Sequence, residues 1–210
     1  CALLLPPDSV TGAGARTPHW CASCLRLPLD GIDGCHAAVS YGWPWQACVD
    51  GFKFGAQTGW ATALAGVMLR DPLVRQAIRT CDVLVPMPLH PLRLAERGYN
   101  QSLLLAQALR RCTDREEKLD RHQAVVRHDW LLRIRNTQAQ SRLSLAQRLR
   151  NVRQAFAVAA NQSSQLHGKR VVLVDDVMTS GASAQAAAQT LRTAGVHQLR
   201  VVVFARTEKP

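Results

Sequence analysis

The clearest pattern in the chain is an apolar run without alternation, Val171, Val172, Leu173 and Val174. An unbroken apolar run, mostly β-branched, predicts a strand covered on both faces, as in a parallel sheet. A second such run, Arg200 to Ala205, and a third, Asp82 to Val85, predict two more strands. Pro86 and Pro88 stop the third. Shorter strands are predicted over Ala37 to Tyr41 and Ala124 to Arg127.

Helical spacing appears between the runs. Trp45, Val49 and Phe52 predict a short amphipathic helix from Pro44, whose aromatic residues read as core. Residues 60 to 70 predict a helix with Leu64, Val67 and Met68 inward. Leu103, Leu104, Ala106 and Leu109 give an apolar face from about Asn100 to Arg111. Residues 141 to 149 predict a helix packing Leu145 and Leu149. A small-residue helix runs from about Gly181 and ends near Gly195. Strands alternating with helices predict an α/β fold.

The first run leads into chemistry. Asp175 and Asp176 follow it, at the end of a strand where open α/β sheets bind ligands. Thr179, Ser180, Gly181 and Ser183 make a turn into the helix. Unpaired N–H groups at a helix start hold phosphate. Hydroxyls add donors, and Gly181 permits close approach. The two carboxylates suit vicinal sugar hydroxyls, or a magnesium ion through water. A phosphorylated sugar satisfies the whole string. The chain has no P-loop and no GxGxxG dinucleotide motif.

This segment resembles the phosphoribosyl-pyrophosphate signature of type I phosphoribosyltransferases. The resemblance implies that residues Val174, Asp175, Asp176, Val177, Met178, Thr179, Ser180, Gly181, Ala182 and Ser183 bind ribose 5-phosphate, with the acids on the ribose hydroxyls. VPMPLHPLRLAERGYNQS is similar to a stretch of the ComF/GntX family through Pro86, Pro88, Arg93, Arg97, Gly98, Asn100 and Gln101. Tyr99 replaces the usual Phe. By the same resemblance the loop after Val85, with Pro88 and Leu89, is the pyrophosphate loop. Arg133, Arg135, Thr137, Gln140, Leu143, Arg148, Asn151 and Phe156 fit a further family pattern. In type I relatives a mobile loop there closes over the diphosphate. The implied fold is a largely parallel sheet flanked by helices. The implied activity is magnesium-dependent transfer of a phosphoribosyl group to a nitrogen acceptor. Asp175 and Asp176 would fix the ribose, and Arg97 with Arg133 or Arg135 would hold the diphosphate. The family's tie to competence implies an alternative: a non-catalytic protein that senses a phosphosugar or binds single-stranded DNA and the competence machinery.

Charge fits either reading. The 210 residues carry a formal charge of +11, which implies anionic partners. Residues 131 to 158 hold six arginines and no acid. Aromatic residues are sparse there, so a stacking platform for single strands is not evident in that stretch.

Seven cysteines are present, and Cys1, Cys21, Cys24 and Cys35 crowd the start. Cys21 and Cys24 form a CxxC pair. Cys1 and Cys35 complete a tetrahedral zinc site, with His19 or His36 able to replace either, or the site is vestigial. A cysteine-containing segment is therefore expected over 1–36 and a phosphoribosyltransferase-like domain over 37–210. No apolar run reaches membrane-spanning length. CALLLPP lacks the basic flank of a secretion signal, so a cytoplasmic location is expected. The acceptor is open, and so is a homo-oligomer.

Overall fold

A computed structural model describes residues 29–116, 124–136, 152 and 154–207. In chain order its elements are β1 (Gly34–Ser40), α1 (Trp45–Phe54), α2 (Trp60–Met68), α3 (Pro72–Thr80), β2 (Val83–Pro86), α4 (Pro91–Arg97) and α5 (Gln101–Glu116). Then come β3 (Val125–Val126), β4 (Leu131–Arg133), β5 (Phe156–Val158), α6 (Ser163–Leu166), β6 (Arg170–Met178), α7 (Ala182–Thr193) and β7 (Gln198–Arg206). Five strands form a parallel sheet in the order β1-β7-β6-β2-β3. β4 and β5 make a separate antiparallel ribbon.

The missing alternation has the expected cause. Leu84, Val172, Val174, Val202 and Phe204 pack under α1, α2, α3 and α5. Val83, Val85, Val171, Leu173, Val201 and Val203 pack on the other face against α7 and the ribbon. Neighbouring residues of one strand point to opposite faces, so both sets must be apolar.

Several elements differ from the sequence expectation. β6 does not stop at Val174 but runs through the acid pair, with Asp175 in register with Val203 of β7. β1 begins at Gly34, so residues 34–36 belong to the sheet and not to the preceding segment. Pro91–Arg97, expected as part of a loop, is helical. Pro91 stands at its first turn, His90 Nδ1 accepts from Leu92 N–H at 3.3 Å, and Gly98 closes it at φ 81°. α3 was not expected at all. Asp71 caps it, accepting from Leu73 N–H at 2.7 Å, and Val74, Ala77 and Ile78 are buried. The buried face of α5 is Leu105, Ala106, Ala108 and Leu109, with Leu104 half-buried against the same core and Leu103 half-buried beside it. Trp43 and Phe54, counted with the core, are 93% and 74% exposed. Trp45 packs edge-on against Phe204 at 5.6 Å, as core. The helix expected over 141 to 149 lies outside the described residues. Among the described residues no helix is long and apolar enough to cross a membrane.

Candidate functional site at the carboxyl edge of the sheet

The acids of β6 are held from three elements. Asp176 is 3% exposed. Its Oδ1 accepts from Val177 N–H at 2.7 Å, and its Oδ2 lies 3.1 Å from Nζ of Lys53, in the last turn of α1. Asp175 Oδ1 accepts from the Ser102 hydroxyl and from Asp176 N–H, both at 2.9 Å. Ser102 is placed by Asn100, whose Oδ1 accepts from Ser102 N–H at 2.9 Å and so caps α5. Asp175 keeps some exposed surface but lies deep among protein atoms. Burial, and then the charge of Asp176, push its carboxyl up to about 7; Lys53 and the Ser102 hydroxyl pull the other way.

The turn follows directly. Gly181 sits at φ 80°, which favours glycine, and is the N-cap of α7. Ser180 Oγ accepts from Ala182 N–H at 3.4 Å. A cavity of about 50 Å³ is walled by Asp175, Thr179, Gly181, Ala182 and Ser183, with Val177 and Met178 beneath. One acid and the hydroxyl-bearing turn therefore face a single space at a helix start. Val174 is a buried strand residue of the frame.

Arginines approach from two sides. Arg97 donates to Gln101 Oε1 at 2.6 Å and stacks over the Phe54 ring at 5.2 Å. Arg93 and Arg97 are one turn apart on α4. With Lys53, Phe54, Glu96, Tyr99 and Asn136 they line an open cavity of about 670 Å³. Arg133, on the ribbon, stacks over Phe156 at 5.6 Å. Burial lowers its pKa, the charge of Arg93 lowers it further, and Asp175 opposes both. Arg133 thus lies within electrostatic reach of the acid and of α4. Arg135 is exposed and donates to Gln154 Oε1 at 3.2 Å. Pro88 is buried and Leu89 half-buried after β2, where Met87 O accepts from Asn100 Nδ2 at 3.1 Å.

The sequence reasoning missed Lys53 and Ser102. Ser102 had a signal, since Asn100 opens a helix two residues earlier. Lys53 had none, because its partner lies 123 positions away. The cysteine-site residues are not brought together by the described chain. Cys35 is a core residue of β1, 6% exposed, with its thiol donating towards Met178 Sδ at 3.8 Å. Cys1, Cys21 and Cys24 lie outside the described residues.

A parallel sheet ending in an acid pair, a hydroxyl- and glycine-bearing turn and a helix start defines a protein of the type I phosphoribosyltransferase fold. Residues 118–210 match the family described as phosphoribosyl transferase domain. Competence protein F of Haemophilus influenzae is 31% identical over 166 residues, 78% of this chain and 68% of that protein. DNA utilization protein YhgH of Salmonella typhimurium is 28% identical over 90% of this chain and 92% of its own length. A solved structure, the allosteric regulatory enzyme of purine biosynthesis, aligns with a TM-score of 0.40 at 19% identity, over 70% of this chain and 25% of that one. The chain belongs to the competence protein F (ComF) family of phosphoribosyltransferase-like proteins.

Proposed function

We propose that the chain binds phosphoribosyl pyrophosphate at this edge and transfers its phosphoribosyl group to a nitrogen acceptor. The observation that carries the reading is the small cavity shared by Asp175 and the Thr179–Ser183 turn. The 5-phosphate would sit on the first N–H groups of α7 and the hydroxyls of Thr179 and Ser183. Asp175 would accept from the ribose hydroxyls beside it. The diphosphate would reach towards Arg133 and the arginines of α4. As the acceptor nitrogen closes on ribose C1, the bond to the diphosphate oxygen breaks, the diphosphate leaves with the electron pair, and the proton of the nitrogen passes to the departing diphosphate or to water. Fixed acids and arginines supply orientation and charge without reorganising.

Magnesium is expected with this ligand, and the residues limit where it fits. Among the described residues no three His, Cys, Asp or Glu side chains converge on one point. Asp176 Oδ2 lies 3.1 Å from the Lys53 ammonium, although it accepts no hydrogen bond. An ion gripped by both carboxylates does not fit this arrangement; an ion carried on the diphosphate oxygens does. Titration with phosphoribosyl pyrophosphate and magnesium, and pyrophosphate release with a panel of nitrogen bases, test the proposal. Absence of association sinks it.

A second reading is favoured by one surface feature. Trp43 and Phe54 stand exposed on a chain of charge +11, and Phe54 lies beside Arg97. Exposed rings with basic groups suit stacked single-stranded bases. Relatives named for competence and DNA utilization point the same way. In this reading the protein handles single-stranded DNA in the cytoplasm without turning over a sugar phosphate. Binding to single strands that weakens steeply with salt would support it.

A further inference from the structure

α7 turns an uncharged face to the outside. Gln185, Ala186, Gln189, Thr190 and Thr193 line a groove of about 660 Å³ between this helix and the β4–β5 ribbon. Among the described residues no acid, lysine, arginine or histidine lines it. In a chain that is 20% charged, the outer face of a surface helix is where charges ordinarily gather. Arg192, the one charged residue of α7, is engaged instead by Asp33 and the carbonyl of Gly31. Arg135 comes near, donating at 3.2 Å to Oε1 of Gln154, which lines the groove. The hydroxyls of Thr190 and Thr193 donate to the carbonyls of Ala186 and Gln189 at 3.0 and 2.9 Å, so the helix itself takes up both donors. Val152 and Phe156, both buried, line the groove from the other side, and Ile134 stands 56% exposed at its edge.

The side-chain amides of Gln185 and Gln189, one turn apart, meet no partner among the described residues. A carboxamide both donates and accepts, so two copies of one satisfy each other. Ala186, Gln189 and Thr193 follow at intervals of three and four residues, the spacing along which two helices pack. Charge decides what covers such a face. A nucleic acid or an acidic segment gains nothing from a groove without cations. A second copy of a chain of formal charge +11 is repelled where basic surfaces meet, and on this face they do not meet. A patch that pairs with itself about a two-fold axis must be complementary to itself. An uncharged helix face bearing free amides is.

We propose that α7 and the β4–β5 ribbon are a self-association surface, on which a second copy of this chain docks with α7 against α7 and covers the groove. Ala182 lines both this groove and the small cavity at the turn, so the interface backs onto the ligand site. Dimerisation through this face does not depend on which ligand that site takes.

Sedimentation equilibrium of the full chain, from about 1 to 100 μM, is expected to show a monomer–dimer equilibrium with a micromolar dissociation constant. Gln185→Lys combined with Gln189→Lys sets like charges against each other across the axis and is expected to weaken the dimer about tenfold or more. Gln185→Glu combined with Gln189→Glu repeats the experiment with the opposite sign. The two variants mixed in equal amounts are expected to associate at least as tightly as the wild type, because each ammonium then meets a carboxylate. Lysine and glutamate are as good helix formers as glutamine, so α7 is expected to persist in both variants. Should circular dichroism show either unfolded, the single changes at Gln189, which is exposed, take their place. Loss in the lysine variant with recovery in the mixture upholds the proposal. A wild type that sediments as a single chain at every concentration overturns it and leaves the groove to another occupant. A lysine variant that dimerises as the wild type does also overturns it, because the contact then lies elsewhere. So does a mixture that associates no better than the lysine variant alone.

Discussion

The hydroxyl of Ser102 donates to Asp175 Oδ1 across 2.9 Å, joining the start of α5 to the end of β6. The bond favours the charged carboxylate, yet burial and Asp176 outweigh it, and the group titrates at about 7 instead of 3.8. Between those two values the folded chain holds a proton that the unfolded chain has lost. Stability therefore falls as pH rises from about 4 through 7, and the penalty is complete above 7. Asp175→Asn keeps an oxygen for Ser102 and removes the charge. Its melting temperature is expected to exceed that of the wild type at pH 8, with the gap closing as pH falls through 7. Thermal melts across that range check it, and an equal gap at every pH would refute the assignment.

Gly181 sets the turn. A side chain there must adopt φ near 80°, and its Cβ would stand 3.0 Å from Leu29 Cδ2. Gly181→Ala is expected to cost about 1–2 kcal/mol of folding stability, from backbone strain. It should also weaken ribose 5-phosphate binding, because the first N–H groups of α7 shift. Denaturant melts and calorimetry separate the two effects.

Arg97 is poised by Gln101 and the Phe54 ring, beside the larger cavity. Arg97→Ala is expected to weaken phosphoribosyl pyrophosphate about tenfold, the worth of one charge-assisted contact. Ribose 5-phosphate, lacking the diphosphate, should bind within about twofold of the wild type. Equal losses for both ligands would place Arg97 elsewhere.

Asp82 works at the opposite end of the sheet. It accepts from Arg170 N–H at 2.7 Å and from Arg170 Nη2 at 2.8 Å, pinning the start of β6 beside β2. The Arg170 side chain is 40% exposed, so solvent screens the pair. Asp82→Ala is expected to cost about 1 kcal/mol. Ligand affinity should not change, because the site lies at the other end of β6. Chemical denaturation and a single titration suffice.

The sequence was most informative where chemistry and local order coincide. The string from Val171 to Ser183 announced strand, acids, turn and helix together, and the structure keeps that order with the strand lengthened through Met178. Three apolar runs became β2, β6 and β7 because a strand covered on both faces leaves a contiguous signature. What escaped was set by distance or by mixed signals. Lys53 reads as an ordinary helix-terminal cation until the fold brings α1 to β6. Pro91–Arg97 has two leucines, both exposed, so it shows no apolar stripe to mark a helix. The β4–β5 ribbon has three residues a side, too few for a period to show. The aromatic residues of this stretch read as core, yet Trp43 and Phe54 stay exposed while Trp45 and Phe52 turn inward.

The first described strand, β1, is hydrogen-bonded along its length to the last, β7. A growing polypeptide therefore presents Cys35, Ala37 and Val39 to the ribosome exit and must wait more than 150 residues for their partner. Until Gln198 to Arg206 emerges, the nascent molecule carries an unsatisfied edge with apolar side chains, the kind of surface that chaperones cover. Assembly of this sheet is a late event, and a stop codon before Gln198 removes far more than the few residues it deletes.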